Sequence, residues 1–144
     1  MPYEIEREEL RQLQAIIARH EDHAFKVRSV MYALLTALAV ALLGKGNLIS
    51  GPQFVGLSLF IIALFFIVEL VHRAIARLAI DRGKVVEAVL RTQGKVPYDG
   101  PMIADSLGKG QIPLVMWKEA FMPWMLIHYS GLLLAITLIG GIRW

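Results

Sequence analysis

Residues 46–68 read GNLISGPQFVGLSLFIIALFFIV, a run of 23 without one Asp, Glu, Lys or Arg. A helix rises about 1.5 Å per residue, so this run can cover the roughly 30 Å hydrocarbon core of a bilayer. Two further charge-free blocks flank it, residues 29–44 and 120–142. The later one is long enough by the same arithmetic. The earlier one is marginal until Lys26, Arg28 and Lys45 extend along the helix and put their charged ends in the interface, which gives a span over residues 27–43. Composition agrees: 56% of the 144 residues are hydrophobic and 19% charged, and a mean hydropathy of +0.56 suits a membrane chain better than a soluble one.

Working outward, the connector GKGNLISGPQ at 44–53 is rich in Gly, Asn, Ser and Pro and predicts a turn between two antiparallel spans, hence a hairpin. Before it, residues 3–25 predict an amphipathic helix. Ile5, Leu10, Leu13, Ile16 and Ile17 fall mainly on one face, and the acidic EIEREE run occupies the first turns, where it complements the helix dipole. Ala39 and Ala41 resemble a signal-peptide cleavage site, but 28 preceding residues with a cluster of acids predict that the first span is retained. After the second span, ELVHRAIARLAIDRGKVVEAVLR at 69–91 keeps a 3.6-residue apolar repeat interrupted only by Gly83, so the helix is expected to run on beyond the membrane. Glu69 with Arg73, and Glu87 with Arg91, stand four apart in the favourable order for ion pairs on such a helix.

Residues 92–113, TQGKVPYDGPMIADSLGKGQIP, hold three prolines and four glycines and exclude a long regular element. The third span is expected over residues 122–142, with Pro123 in its first turn. Trp117 and Trp124 near its start and Trp144 at the chain end match an aromatic belt. Five basic residues precede the first span, Lys45 alone lies in the connector, eight lie between the second and third spans, and Arg143 follows the third. By the positive-inside rule the N-terminus and the 92–113 loop are cytoplasmic and the C-terminus lies outside. The expected fold is all-α integral membrane: a cytoplasmic helix at 1–26, a transmembrane hairpin at 27–71, a cytoplasmic helical extension and loop at 72–121, and a third transmembrane helix at 122–144.

Cysteine is absent, which removes disulfides, thiolate nucleophiles and cysteine metal sites. The sequence holds no hydrolase elbow, zincin motif, Walker loop or intramembrane carboxylate pair, so no enzyme is expected, and no cofactor. His20 and His23 stand three apart, but two ligands do not make a metal site. His128 lies within the third block and must face protein or water, either as a helix–helix hydrogen bond or as a pore-lining, proton-sensing group. Glu69, His72 and Arg73 at the mouth of the second span are pore or gating candidates beside an interfacial reading. Gly131 and Ala135 form a small-x-x-x-small pair suited to close helix packing. Three short spans enclose no aqueous route alone, so permeation requires several copies of the chain.

The order of a leading helix ending HAFKVRSVMYALLTALAVALL, a tight hairpin, and FIIALFFIVELVHRAIARLAIDRGKVVEAVLR running out beyond it resembles the SLATT group of small bacterial membrane effectors over roughly residues 10–91. The resemblance extends to the membrane accessory proteins beside RNA-targeting CRISPR systems. It implies an antiviral defence effector that oligomerises and permeabilises the inner membrane. The group has two spans, and residues 122–142 add a third. On this expectation the partners are membrane lipid, further copies of the chain, and a cytoplasmic nucleotide, nucleic-acid or protein regulator. Such a regulator would act on the loop carrying Lys95, Tyr98, Asp99 and Lys109. The competing expectation is a non-conducting anchor subunit of a larger membrane complex, favoured by the low polarity of the spans.

Overall fold

The computed structural model describes residues 3–44, 48–93, 95–108 and 110–141. Lys45, Lys109, Arg143 and Trp144, which enter the readings of the connector, the loop and the chain end, lie outside them. The elements are α1 (Glu4–Leu43), α2 (Gly51–Arg91), α3 (Ile103–Gly108), α4 (Ile112–Ala120) and α5 (Pro123–Gly141), with no strand among the described residues. Helices α1, α2 and α5 each contain a stretch long and apolar enough to cross a membrane.

No glycine or proline interrupts the sequence from Tyr3 to Leu43, and α1 accordingly runs unbroken through the polar approach and the first apolar block until Gly44. Helix α2 starts on a capping box: the Gln53 side-chain carbonyl accepts from the Ser50 amide at 2.9 Å while the Ser50 hydroxyl accepts from the Gln53 amide at 3.4 Å. Pro52 falls in that first turn, where no amide is needed. Gly83 does not break α2; a Cβ there would only touch the Leu10 side chain at 3.9 Å. The helix ends at Arg91, where the Thr92 hydroxyl donates to the Ala88 carbonyl and Gln93 turns into the left-handed region at φ 51°. At 40 and 41 residues, α1 and α2 are each about 60 Å long, twice a hydrocarbon core. The Gly- and Pro-rich stretch is not wholly irregular, since it contains the six-residue α3 and leads into the nine-residue α4.

The chain divides into two compact units, Met1–Ala24 with Leu70–Glu119, and Phe25–Glu69 with Ala120–Trp144. The first, the charged unit, carries 22 of the 27 charged residues of the sequence. Its core is Leu13 from α1 with Ala79 and Val86 from α2, seven apart and therefore on one face. Leu10, Ile16, Ile17, Leu90, Tyr98 and Ile103 close around them. In the second, the apolar unit, the buried positions repeat at helical spacing on all three long helices: Met31, Leu35 and Leu42, then Phe54, Ser58, Ile62 and Glu69, then Met125, Tyr129, Ile136 and Gly140. Phe60, Leu64, Ile67, Ile127, Leu134 and Leu138 point outward and are exposed. Packing in such a unit rests on close approach rather than on water exclusion. Gly140 supplies it: a Cβ there would lie 2.5 Å from Val55 Cγ2, so α5 meets α2 at a residue without a side chain.

Candidate functional site

Within the apolar unit, Glu69 is fully buried at 0% exposure. Its carboxylate accepts from Arg28 Nε at 2.9 Å and Nη2 at 2.5 Å, and from the Tyr129 hydroxyl at 2.8 Å. Arg28 comes from α1, Glu69 from α2 and Tyr129 from α5, so one network joins the three long apolar helices. The forked arginine contact is the strong, directional form of ion pair. The surroundings complete it: the Arg28 guanidinium lies 4.9 Å from the Trp124 ring centroid and Nη2 reaches Met125 Sδ at 4.0 Å, while Phe66 meets Tyr129 edge-on at 4.7 Å. Beside it, His128 pairs with the Tyr32 hydroxyl at 3.1 Å from Nε2, a bond between α1 and α5. The hydroxyls of Ser29, Ser130 and Thr137 donate back to carbonyls of their own helices. Ser58 differs from these. Its buried Oγ has no hydrogen-bond partner among the described residues.

The charged unit contains a parallel arrangement. Buried Glu9 on α1 accepts from Arg82 Nε at 2.9 Å, from Arg82 Nη2 at 3.3 Å, from the Tyr98 hydroxyl at 2.5 Å and from the Met102 amide at 3.3 Å. Arg82 Nη2 also donates to the Gly100 carbonyl at 2.6 Å, so the non-helical segment 98–102 is tied to both helices. Gly100, at φ +86°, takes a conformation that a side chain would strain. Burial pushes the Glu9 carboxyl up, but the hydrogen bonds from Arg82, Tyr98 and Met102, with the Arg82 charge, outweigh it and hold its pKa below the ordinary carboxylate range. Burial, followed by the bond to Glu9, pushes the Tyr98 phenol up to about 12. Both shifts keep the pair in the donor and acceptor forms that the network needs.

A third cluster, also in the charged unit, brings three imidazoles together. His20 Nδ1 and His72 Nδ1 are 2.9 Å apart, one donating and the other accepting according to tautomer. The His23 ring lies 5.3 Å from His72 and 6.2 Å from His20, centroid to centroid. Burial first, and then His72, His23 and Arg19, lower the His20 pKa; burial and His23 lower that of His72.

The structure thus gathers some of the candidate residues and separates others. Glu69 goes to Arg28 and Tyr129, His128 to Tyr32, and His72 to His20 and His23. Arg73 is half-buried beside His72 in sequence. Tyr98 is locked to Glu9, whereas Lys95 and Asp99 are exposed. Gly131 and Ala135 face outward, and a Cβ on Gly131 would meet nothing within 4 Å. The Glu87–Arg91 pair forms at 2.8 Å. Arg28, Tyr129, Glu9 and Arg82 are site residues that spacing alone did not single out, because the Arg28–Glu69, Tyr129–Glu69 and Arg82–Glu9 partners stand 41, 60 and 73 positions apart. No family model, no curated protein and no solved structure matches the chain.

Proposed function

We propose that the chain is an oligomeric effector of the bacterial inner membrane that permeabilises it, or conducts ions through it, on a cytoplasmic signal in antiviral defence. The Arg28–Glu69–Tyr129 network carries this reading. A charge among apolar helices is expensive, and a buried ion pair is a poor source of stability compared with apolar packing; its best-attested use is to fix one arrangement against another. A network with one member on each long helix is suited to hold a resting, non-conducting arrangement that a signal releases.

On this reading the polar halves of the 60 Å helices, too long for the hydrocarbon core, form a cytoplasmic portion with the N-terminus inside and the C-terminus outside, as the basic residues prescribe. The N-terminal part of α1 lies there as an amphipathic helix beside the extension of α2. The segment from Lys95 to Lys109 receives a nucleotide, nucleic-acid or protein regulator, and the bond between Tyr98 and Glu9 gives that segment a lever on α1. One copy encloses no channel, and the outward-facing Gly131 and Ala135 offer a small-residue face to a second copy. The resemblance to SLATT effectors points the same way, and no catalytic chemistry is assigned to the chain. The second reading, a non-conducting anchor subunit, is favoured by one observation: His128 is engaged by Tyr32, the helix–helix bond expected of a structural histidine.

Induced expression with a membrane-potential dye, alongside the mass of the detergent-purified complex, separates the two. The effector reading expects depolarisation and a multi-copy mass. A monomer that leaves the potential untouched would sink it.

A further inference from the structure

We propose that His20, His23 and His72 form a binding site for a divalent transition-metal ion, with zinc as its natural probe. His20 and His23 stand three apart on α1 and so share a face, and His72 approaches them from α2. Imidazole nitrogens bind zinc at about 2.0 Å, and three rings on one tetrahedral ion therefore place their centroids roughly 5 Å apart. Two of the three separations here are 5.2 and 5.3 Å. The third, 6.2 Å between His20 and His23, is the one that has to shorten.

As the rings stand, no three His, Asp or Glu side chains among the described residues enclose an ion, so binding requires the His23 ring to turn inward. His23 is the exposed member of the three, while His20 and His72 are half-buried, so the ring that must turn is the one with solvent beside it. The two nitrogens at 2.9 Å must open to the roughly 3.3 Å edge of a tetrahedral site, a shift of a few tenths of an ångström. Three imidazoles without a cysteine suit zinc or a neighbouring borderline ion rather than magnesium or calcium. With three protein ligands, a fourth position stays open to water or to another donor. The inference does not depend on any conducting role, because binding is read directly.

The test uses the full chain in lipid nanodiscs, purified through a tag without histidine, with zinc bound measured by calorimetry and elemental analysis. About one zinc per chain is expected. Cobalt in its place should give the intense visible absorption of a tetrahedral centre. His20→Gln, His23→Gln and His72→Gln should each weaken zinc binding by at least the roughly tenfold to hundredfold that a lost outer-shell partner costs, with helicity unchanged by circular dichroism. If His23→Gln binds as tightly as the parent, the three-ligand site is overturned. A parent that takes up no more zinc than empty nanodiscs overturns it whatever the variants do, including any that fail to fold.

Discussion

Glu9 and Glu69 are each buried, each gripped by the fork of an arginine from the other long helix, and each completed by a tyrosine hydroxyl, yet the two networks are closed differently. In the charged unit the closure is partly backbone: Met102 donates its amide to Glu9 and Gly100 accepts from Arg82. That network is part of the fold of segment 98–102. In the apolar unit the bonds described to Glu69 run between side chains, one on each of three helices. Helix movement can undo these side-chain bonds without breaking a helix's own backbone ladder, as a latch opens where a clamp would not.

The largest effect expected from this contrast is that of Glu9→Ala. It takes the carboxylate from Arg82, whose side chain is only 9% exposed and keeps just the neutral Gly100 carbonyl among its described hydrogen bonds, and breaking a buried pair in this way costs about 3–5 kcal/mol. Thermal melting should drop, and hydrogen exchange over 98–102 should accelerate. Glu69→Ala is expected to cost less, about 1–3 kcal/mol, because Arg28 keeps 24% exposure and the face of Trp124. An equal or larger loss at Glu69 would make the apolar network the more structural of the two and reverse the comparison.

Acid and alkali should both act on the charged unit through the Glu9 network. The folded pKa of Glu9 is depressed, so its contribution is present above the ordinary carboxylate value and lost as pH falls through the lower, folded one. The folded pKa of Tyr98 is raised from 10.0 to about 12, so its contribution is full below the unfolded value and lost as pH rises through the folded one. Tyr98→Phe should remove the alkaline loss and lower stability by about 1.5 kcal/mol, the contribution of a hydrogen bond to a charged group. A pH–stability curve unchanged by Tyr98→Phe would detach the phenol from the network. The smallest effect belongs to His128→Phe, which removes one bond between apolar helices worth about 0.6 kcal/mol. A loss several times larger would mean that His128 does more than hold Tyr32.

The three apolar helices were legible because charge-free apolar blocks of 16 to 23 residues have few other physical uses, and the continuation of α2 because its 3.6-residue repeat does not stop at Val68. Glu69, His72 and His128 stood out as polar residues in or beside apolar runs. Their partners did not, because periodicity reports which face a residue occupies on its own helix and says nothing of which helix lies opposite. Arg28 read as an interfacial snorkel, and became the partner of Glu69 only once α1 and α2 were packed. His72 joins His20 and His23 from 52 positions away. Small-residue spacing pointed to Gly131 and Ala135, whereas the close approach within one chain falls at Gly140, where Val55 arrives.

On the proposed function, the Arg28–Glu69–Tyr129 network holds a conducting assembly closed. Ion flux from liposomes reconstituted with the parent, Glu69→Gln and Tyr129→Phe tests it most directly, with the oligomer of each verified by native mass measurement. A latch of this kind leaves the parent tight and raises the resting leak roughly tenfold or more in both variants, as expected when a closed state loses differential stabilisation. Variants that keep the parent's oligomer and stay as tight as the parent would contradict it.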